Sequence, residues 1–288
     1  MAYRSSTVAL AIATALTMAI GAAQAADDAK YPNWKGQWDA INPRLGGQAI
    51  KFDPTKAWGP AQQAPLTPEY RKVHEESMAD QATGGLGNYP TARCLPSGMP
   101  RLMALPVQEY VVTPETTYIL IGHDIRRIFT DGRDWRDWPK DAEPSFLGYS
   151  IGHWVDSEGT GHFDTLEVET RFLKGPRPLD PSGMPTHVDN ESIIKERIFL
   201  DKTKPDVLHD EITLIDHAYT RPWVVMKNYR REPVKFPEWT EYNCTGENEL
   251  IKIGNETYFR GGDGNLMPTR KDQPPPDLRY FPKTRASR

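Results

Sequence analysis

Residues 163–172 read Phe163-Asp164-Thr165-Leu166-Glu167-Val168-Glu169-Thr170-Arg171-Phe172. Leu166 and Val168 alternate with Glu167 and Glu169, so one face is apolar and the other charged, which is the period of a half-buried strand. The period of two continues on both sides. It predicts eight strands, at 107–113, 116–122, 124–130, 146–155, 163–172, 191–200, 207–216 and 222–230. Turn residues separate them, among them Pro114-Glu115, Asp131-Gly132, Ser157-Glu158-Gly159 and Lys204-Pro205. No helical pattern intervenes, and parallel pairs need long crossovers, so the sheet is expected to be antiparallel. Eight meandering strands form a mainly β barrel whose interior holds side chains or one small ligand. A two-sheet sandwich is the competing architecture.

Residues 26–106 are expected to be an irregular arm with one short helix, packed on the barrel at 107–250. Thr67-Pro68-Glu69 opens that helix, with Thr67 as N-cap and Pro68 in the first turn, and it runs to about Asp80 before Gly84-Gly85. Residues 251–288 are Pro-rich and read as a loose, partly disordered extension. The 26 prolines among 288 residues argue against a helical bundle. With 35 basic and 39 acidic residues the chain has no bulk field to capture nucleic acid.

Residues 1–25 read as a secretory signal peptide: Arg4, an apolar run over 8–23, then Ala23-Gln24-Ala25 as the cleavage pattern. The run is too short to span a membrane, and no later segment is apolar enough, so no membrane span is expected. Periplasmic or secreted location follows. In an oxidising compartment the two cysteines, Cys94 and Cys244, are expected to form one disulfide. Two free thiols are the alternative.

Six segments occur in a characteristic order. They are Cys94-Leu95-Pro96-Ser97-Gly98-Met99-Pro100-Arg101, Arg126-Arg127-Ile128-Phe129-Thr130-Asp131-Gly132-Arg133, Gly148-Tyr149-Ser150-Ile151-Gly152-His153-Trp154, Asp164-Thr165-Leu166-Glu167-Val168-Glu169-Thr170, Ala218-Tyr219-Thr220-Arg221-Pro222-Trp223 and Tyr242-Asn243-Cys244. As a set they resemble a group of exported bacterial proteins, mostly of unknown function, with a lipocalin-like barrel. The resemblance covers about residues 94–249 and implies a fold and a compartment, without an established chemistry. The chain departs from that group after Trp154, where 156–163 is longer than the usual tight turn and inserts His162.

Several constellations are candidates for chemistry. His153 shares a strand face with Tyr149, Ile151 and Val155, and inside a barrel His153 and Tyr149 would serve as general base and acid. A core histidine bonded to a neighbour is the bland alternative. His187, Asp189 and Glu191 alternate, which if extended suits a His–carboxylate dyad or a metal cluster, or else a solvated loop; the spacing alone is poor support for zinc, and no metal is expected. Asp216 lies on the face of Ile212 and Leu214, so it points inward and needs a partner such as Arg221, Arg127 or Arg133. With His217, Tyr219, Arg221 and Trp223 it crowds a strand end and makes either a ligand-binding floor or a structural pair closing the barrel. Arg133 and Trp135, in a stretch that interleaves charge with tryptophan, can stack on an aromatic or sugar ring or form a solvated rim loop.

Serine-hydrolase elbow, phosphate-loop, dinucleotide and His-Glu-x-x-His patterns do not occur. The expected function is therefore cofactor-free acid–base chemistry (elimination, isomerisation or hydration) on a small hydrophobic or aromatic ligand. Non-catalytic binding of such a molecule is the alternative. One prediction concerns the cysteines: the unreduced, exported protein should weigh two hydrogens less than after reduction, whereas equal masses would mean two free thiols.

Overall fold

The computed structural model describes residues 29–41, 64–83, 85–88, 95–105, 107–137, 140–175, 177–180, 182–235, 237–239, 249–260 and 265–277. The expected leader at 1–25, and Cys94 and Cys244 of the expected disulfide, lie outside them.

The architecture is mainly β, a closed barrel of nine strands in sequence order. They are β1 (Gln37–Ala40), β2 (Gln108–Val112), β3 (Thr116–Ile121), β4 (Asp124–Phe129), β5 (Tyr149–Val155), β6 (Thr165–Arg171), β7 (Ile193–Leu200), β8 (Val207–Ile215) and β9 (Trp223–Arg231). All eight expected strands are present, so the count of eight is corrected by one addition, β1. Four residues of the expected arm form this extra stave, pairing with β2 through Gln37↔Glu109 and with β9 through Asp39↔Arg230. Trp38 anchors it, fully buried, its indole nitrogen donating to the Trp34 carbonyl at 2.9 Å.

The sheet is not wholly antiparallel. β4 and β5 pair in parallel through only Ile128↔Ser150 and Phe129↔Ile151. A parallel pair needs a long connection, and 130–148 supplies it; among its described residues the only helical element is a 3-10 turn, Trp135–Asp137. Among the described residues there is one α-helix, α1 (Pro68–Ala82); it begins as its sequence indicates, with the Thr67 hydroxyl accepting from the Tyr70 amide. Within the expected tail, β10 (Glu249–Ile253), β11 (Glu256–Arg260) and β12 (Leu266–Pro268) form a separate three-stranded sheet.

The barrel interior is filled. Aliphatic side chains such as Ile119, Ile128, Leu166, Ile194, Ile198 and Leu208 are buried in it. A 3-10 turn, Arg101–Ala104, lies against these core side chains with Leu102 and Met103 fully buried. At the centre is a polar knot. The Arg126 guanidinium meets both oxygens of Glu196, with Nη1 to Oε1 at 2.8 Å, and Nη2 also donates to Thr170 Oγ1 at 3.1 Å and Ser150 Oγ at 3.3 Å. Burial is the largest single influence on Arg126 and pushes it down, but the charge and hydrogen bond of Glu196, with Asp210 and Tyr110, together outweigh it and the net movement is up. Asp210 and Lys227 face each other across β8 and β9. Burial, then the Glu196 charge, pushes the Asp210 carboxyl well above its usual range; burial pulls Lys227 down to about 8. Both shifts favour neutral forms.

Removing one partner of a buried pair strands the other charge. Arg126→Met should therefore cost about 3–5 kcal/mol in urea unfolding, and Arg126→Met/Glu196→Leu should regain most of that loss. A double variant no more stable than the single would contradict this.

Candidate functional site

Strands β6 and β8 run toward the same end of the barrel, and β7 and β9 leave it, because each is antiparallel to its neighbour. Loops 172–192 and 216–222 therefore meet at one rim. Helix α1 is tied to this rim by its leading residues: Leu66 bridges Tyr219, Thr67 N donates to Ala218 O at 2.9 Å, and Thr220 N donates to Pro65 O at 2.8 Å. His74 of α1 joins Ser182 Oγ at 2.7 Å, and Ser182 donates to Asp180 Oδ1 at 2.6 Å. Burial lowers His74, so it is a neutral tie between helix and loop.

Asp216 brackets the two loops. Its Oδ1 accepts from the amides of His187 at 2.9 Å and Ala218 at 2.8 Å, and its Oδ2 accepts from Ser192 Oγ. It is buried, as its face predicted, but its bonded partners are amides and a hydroxyl in place of the expected Arg221, Arg127 or Arg133. Arg221 is exposed in the loop just before β9.

Above Asp216 three side chains converge. Asp189 Oδ2 lies 2.8 Å from His187 Nδ1 and 2.5 Å from His217 Nδ1. The His187 and His217 rings meet edge to face with centroids 5.6 Å apart, and the Tyr70 ring stands 5.4 Å from His187. Glu191 is 4.0 Å from His217 Nδ1. The expected extended run over 187–191 does not form: Asn190 has φ +62°, in the left-handed region, and its Oδ1 accepts from Gly175 N at 2.6 Å. Burial opposes ionisation of Asp189, but the two imidazoles and the Glu191 amide win and hold it down to about 2. The same carboxylate raises His217 above its ordinary value. A carboxylate on Nδ1 fixes the imidazole tautomer and raises its basicity, the arrangement of a general base.

The other candidates lie elsewhere. His153 and Tyr149 were expected on the inner wall, but β5 is turned the other way: Ser150 and Gly152 are buried, while His153 is exposed. His153 and Ile151 instead line an outer cleft of about 470 Å³ with Trp135, Glu167, Glu169 and Arg197. Tyr149 stacks on Phe129 at 5.4 Å, and the Arg133 guanidinium lies 3.8 Å from the Phe129 centroid while pairing with Asp131. Trp135 lies under Arg171 at 4.7 Å. Tyr219 and Trp223 stack at 5.6 Å and are buried, with Tyr219 OH donating to Pro185 O at 3.0 Å, so they support the rim from within.

Of the residues the sequence singled out, the rim thus joins His187 and Asp216. Asp189 and His217, which the sequence placed in separate constellations, complete it, and Tyr70 had no sequence signal at all. No protein-family model and no curated protein matches the chain. Among the described residues no helix is long and apolar enough to cross a membrane.

The shifts have a signed consequence. The raised His217 contributes stability below pH 6.5 that is lost as pH climbs through its folded value, and Asp189 contributes stability above pH 3.8 that is lost as pH falls toward about 2. In NMR titration the His217 ring should show a midpoint above 6.5 that drops toward 6.5 in Asp189→Asn. An unchanged midpoint would remove the coupling.

Proposed function

We propose that this is an exported enzyme that moves a proton on a small apolar or aromatic molecule at the barrel rim. The observation that carries the reading is one carboxylate, Asp189, within hydrogen-bond distance of two imidazoles, His187 and His217. The cluster supplies the base. Asp189 orients the rings, and the Tyr70 ring beside His187 offers a flat apolar wall. Asp216 acts through the backbone and positions His187 without touching substrate. The leader at 1–25 supports export.

Incubating the protein with a small-molecule extract in D2O and following the pool by mass spectrometry tests the reading. Deuterium should enter, or one apolar or aromatic component should be consumed, and His217→Ala should slow this by about 10²–10⁴-fold, the usual worth of a general base. Turnover that His217→Ala and Asp189→Asn leave intact would overturn the assignment.

A lipocalin-like binding role for a hydrophobic molecule is the second reading. It is favoured by a cleft of about 300 Å³ lined by Tyr31, Trp34, Tyr110, Val111 and Val112. A compound retained unchanged on the wild-type protein, with nothing consumed, would support it.

A further inference from the structure

The three rim side chains also have the composition of a metal-ligand set. His187, Asp189 and His217 each offer one ligand atom, and these atoms all lie within 4.8 Å of one another. Two imidazole nitrogens and one carboxylate oxygen suit a borderline-soft divalent transition ion such as Zn²⁺, and suit Mg²⁺ or Ca²⁺ poorly, since those ions prefer all-oxygen shells. We infer that His187, Asp189 and His217 bind one divalent transition-metal ion at the barrel rim.

The geometry needs little change to accept it. Ligands about 2.0–2.2 Å from a tetrahedral zinc stand about 3.4 Å apart. His187 and His217 Nδ1 now stand 2.8 and 2.5 Å from Asp189 Oδ2. Opening each by under about 1 Å makes room for the ion, which takes the place of the His217 Nδ1 proton and, at His187, of the Asp189 amide that lies 3.2 Å from Nδ1. Asp189 and the two histidines sit on loops rather than mid-strand, where such a shift costs no ladder hydrogen bond.

The surroundings are those of a supported centre. The His187 backbone is clamped by buried Asp216, which Ser192 and Ala218 also hold. The 216–218 loop is fastened to the start of α1 through Thr67. Outer partners of this kind orient metal ligands. Glu191, 4.0 Å from His217 Nδ1, is placed to become a fourth ligand or to hold a bound water. Three protein ligands leave a position for water, as catalytic zinc sites do. That water loses a proton to buffer near neutral pH; the hydroxide then takes the substrate proton, the bonding pair stays on the substrate as a carbanion, and the water so formed gives a proton back to that carbanion and is again hydroxide. This chemical role rests on the rim being the working site, whereas binding of the ion does not.

Binding is therefore measured without turnover. Untagged full-length protein, stripped with chelator, is titrated with Zn²⁺ by calorimetry and with Co²⁺ by visible absorption. One ion per chain should bind, with the visible bands of tetrahedral or five-coordinate Co²⁺. His187→Ala and His217→Ala, checked for fold by circular dichroism, should each weaken Zn²⁺ binding by more than the roughly 10–100-fold that loss of an outer partner costs. His153→Ala, on the outer face of β5, should bind as wild type. Absence of saturable one-to-one binding, or loss equal in His153→Ala, overturns the site. Zinc binding without turnover upholds the site and removes the proton-transfer reading. Turnover sensitive to His217→Ala in protein that binds no zinc does the reverse.

Discussion

The buried pairing of Arg126 with Glu196 is the interaction on which the barrel depends. The β4–β5 seam has only two paired positions on each strand. Backbone bonds alone hold such a seam weakly. Arg126 starts on β4 and reaches Ser150 on β5, Thr170 on β6 and Glu196 on β7. One planar guanidinium thus spans four staves, a task suited to its fixed fork of donors. The ions would each cost several kcal/mol to desolvate if left alone, so the hydroxyls and the carboxylate must be in place together. The other short seam, at β1, is closed by Trp38 on the interior side.

This solution constrains the rest of the interior. With Glu196 committed to Arg126, the neighbouring Asp210 is pushed toward its protonated form, and Lys227 is drawn toward neutrality by its burial. Gly152 has no side chain because a Cβ there would stand 2.7 Å from Ile128. The interior holds ionisable groups, but they are Arg126, Glu196, Asp210 and Lys227 in place of the expected His153 and Tyr149, and they are packed among aliphatic chains and serve closure. Chemistry has room instead at the rim, where loops 172–192 and 216–222 are free of the strand ladder yet fastened by Asp216.

Much of this was legible in the residues. Alternation located eight of the staves, and Thr67-Pro68 marked the start of α1. β1 was not legible, since four residues between Pro- and Gly-rich segments are too few to show a period. The orientation of β5 was misread for a physical reason. Apolar Ile151 marked the face of Tyr149 and His153 as inner, but the inner face at that point carries Ser150 and Gly152, because the centre of the barrel is polar and crowded. The parallel pairing of β4 with β5 was hidden because the described residues of its connection form no α-helix. The convergence of Asp189 with His217 was also invisible, as these residues sit on different loops.

The sequence by itself determined that the chain forms short strands around a shared core, since alternation is a local property that each segment carries alone. It also determined the cap of helix α1 and, to within about two residues, its extent. Tertiary structure alone decided which face of β5 turns inward, that a ninth strand completes the closure, and that His187, Asp189 and His217 meet. Those outcomes depend on the closure of the barrel, which sets distances between residues remote in the chain and makes a polar side chain tolerable inside only where its partners already wait.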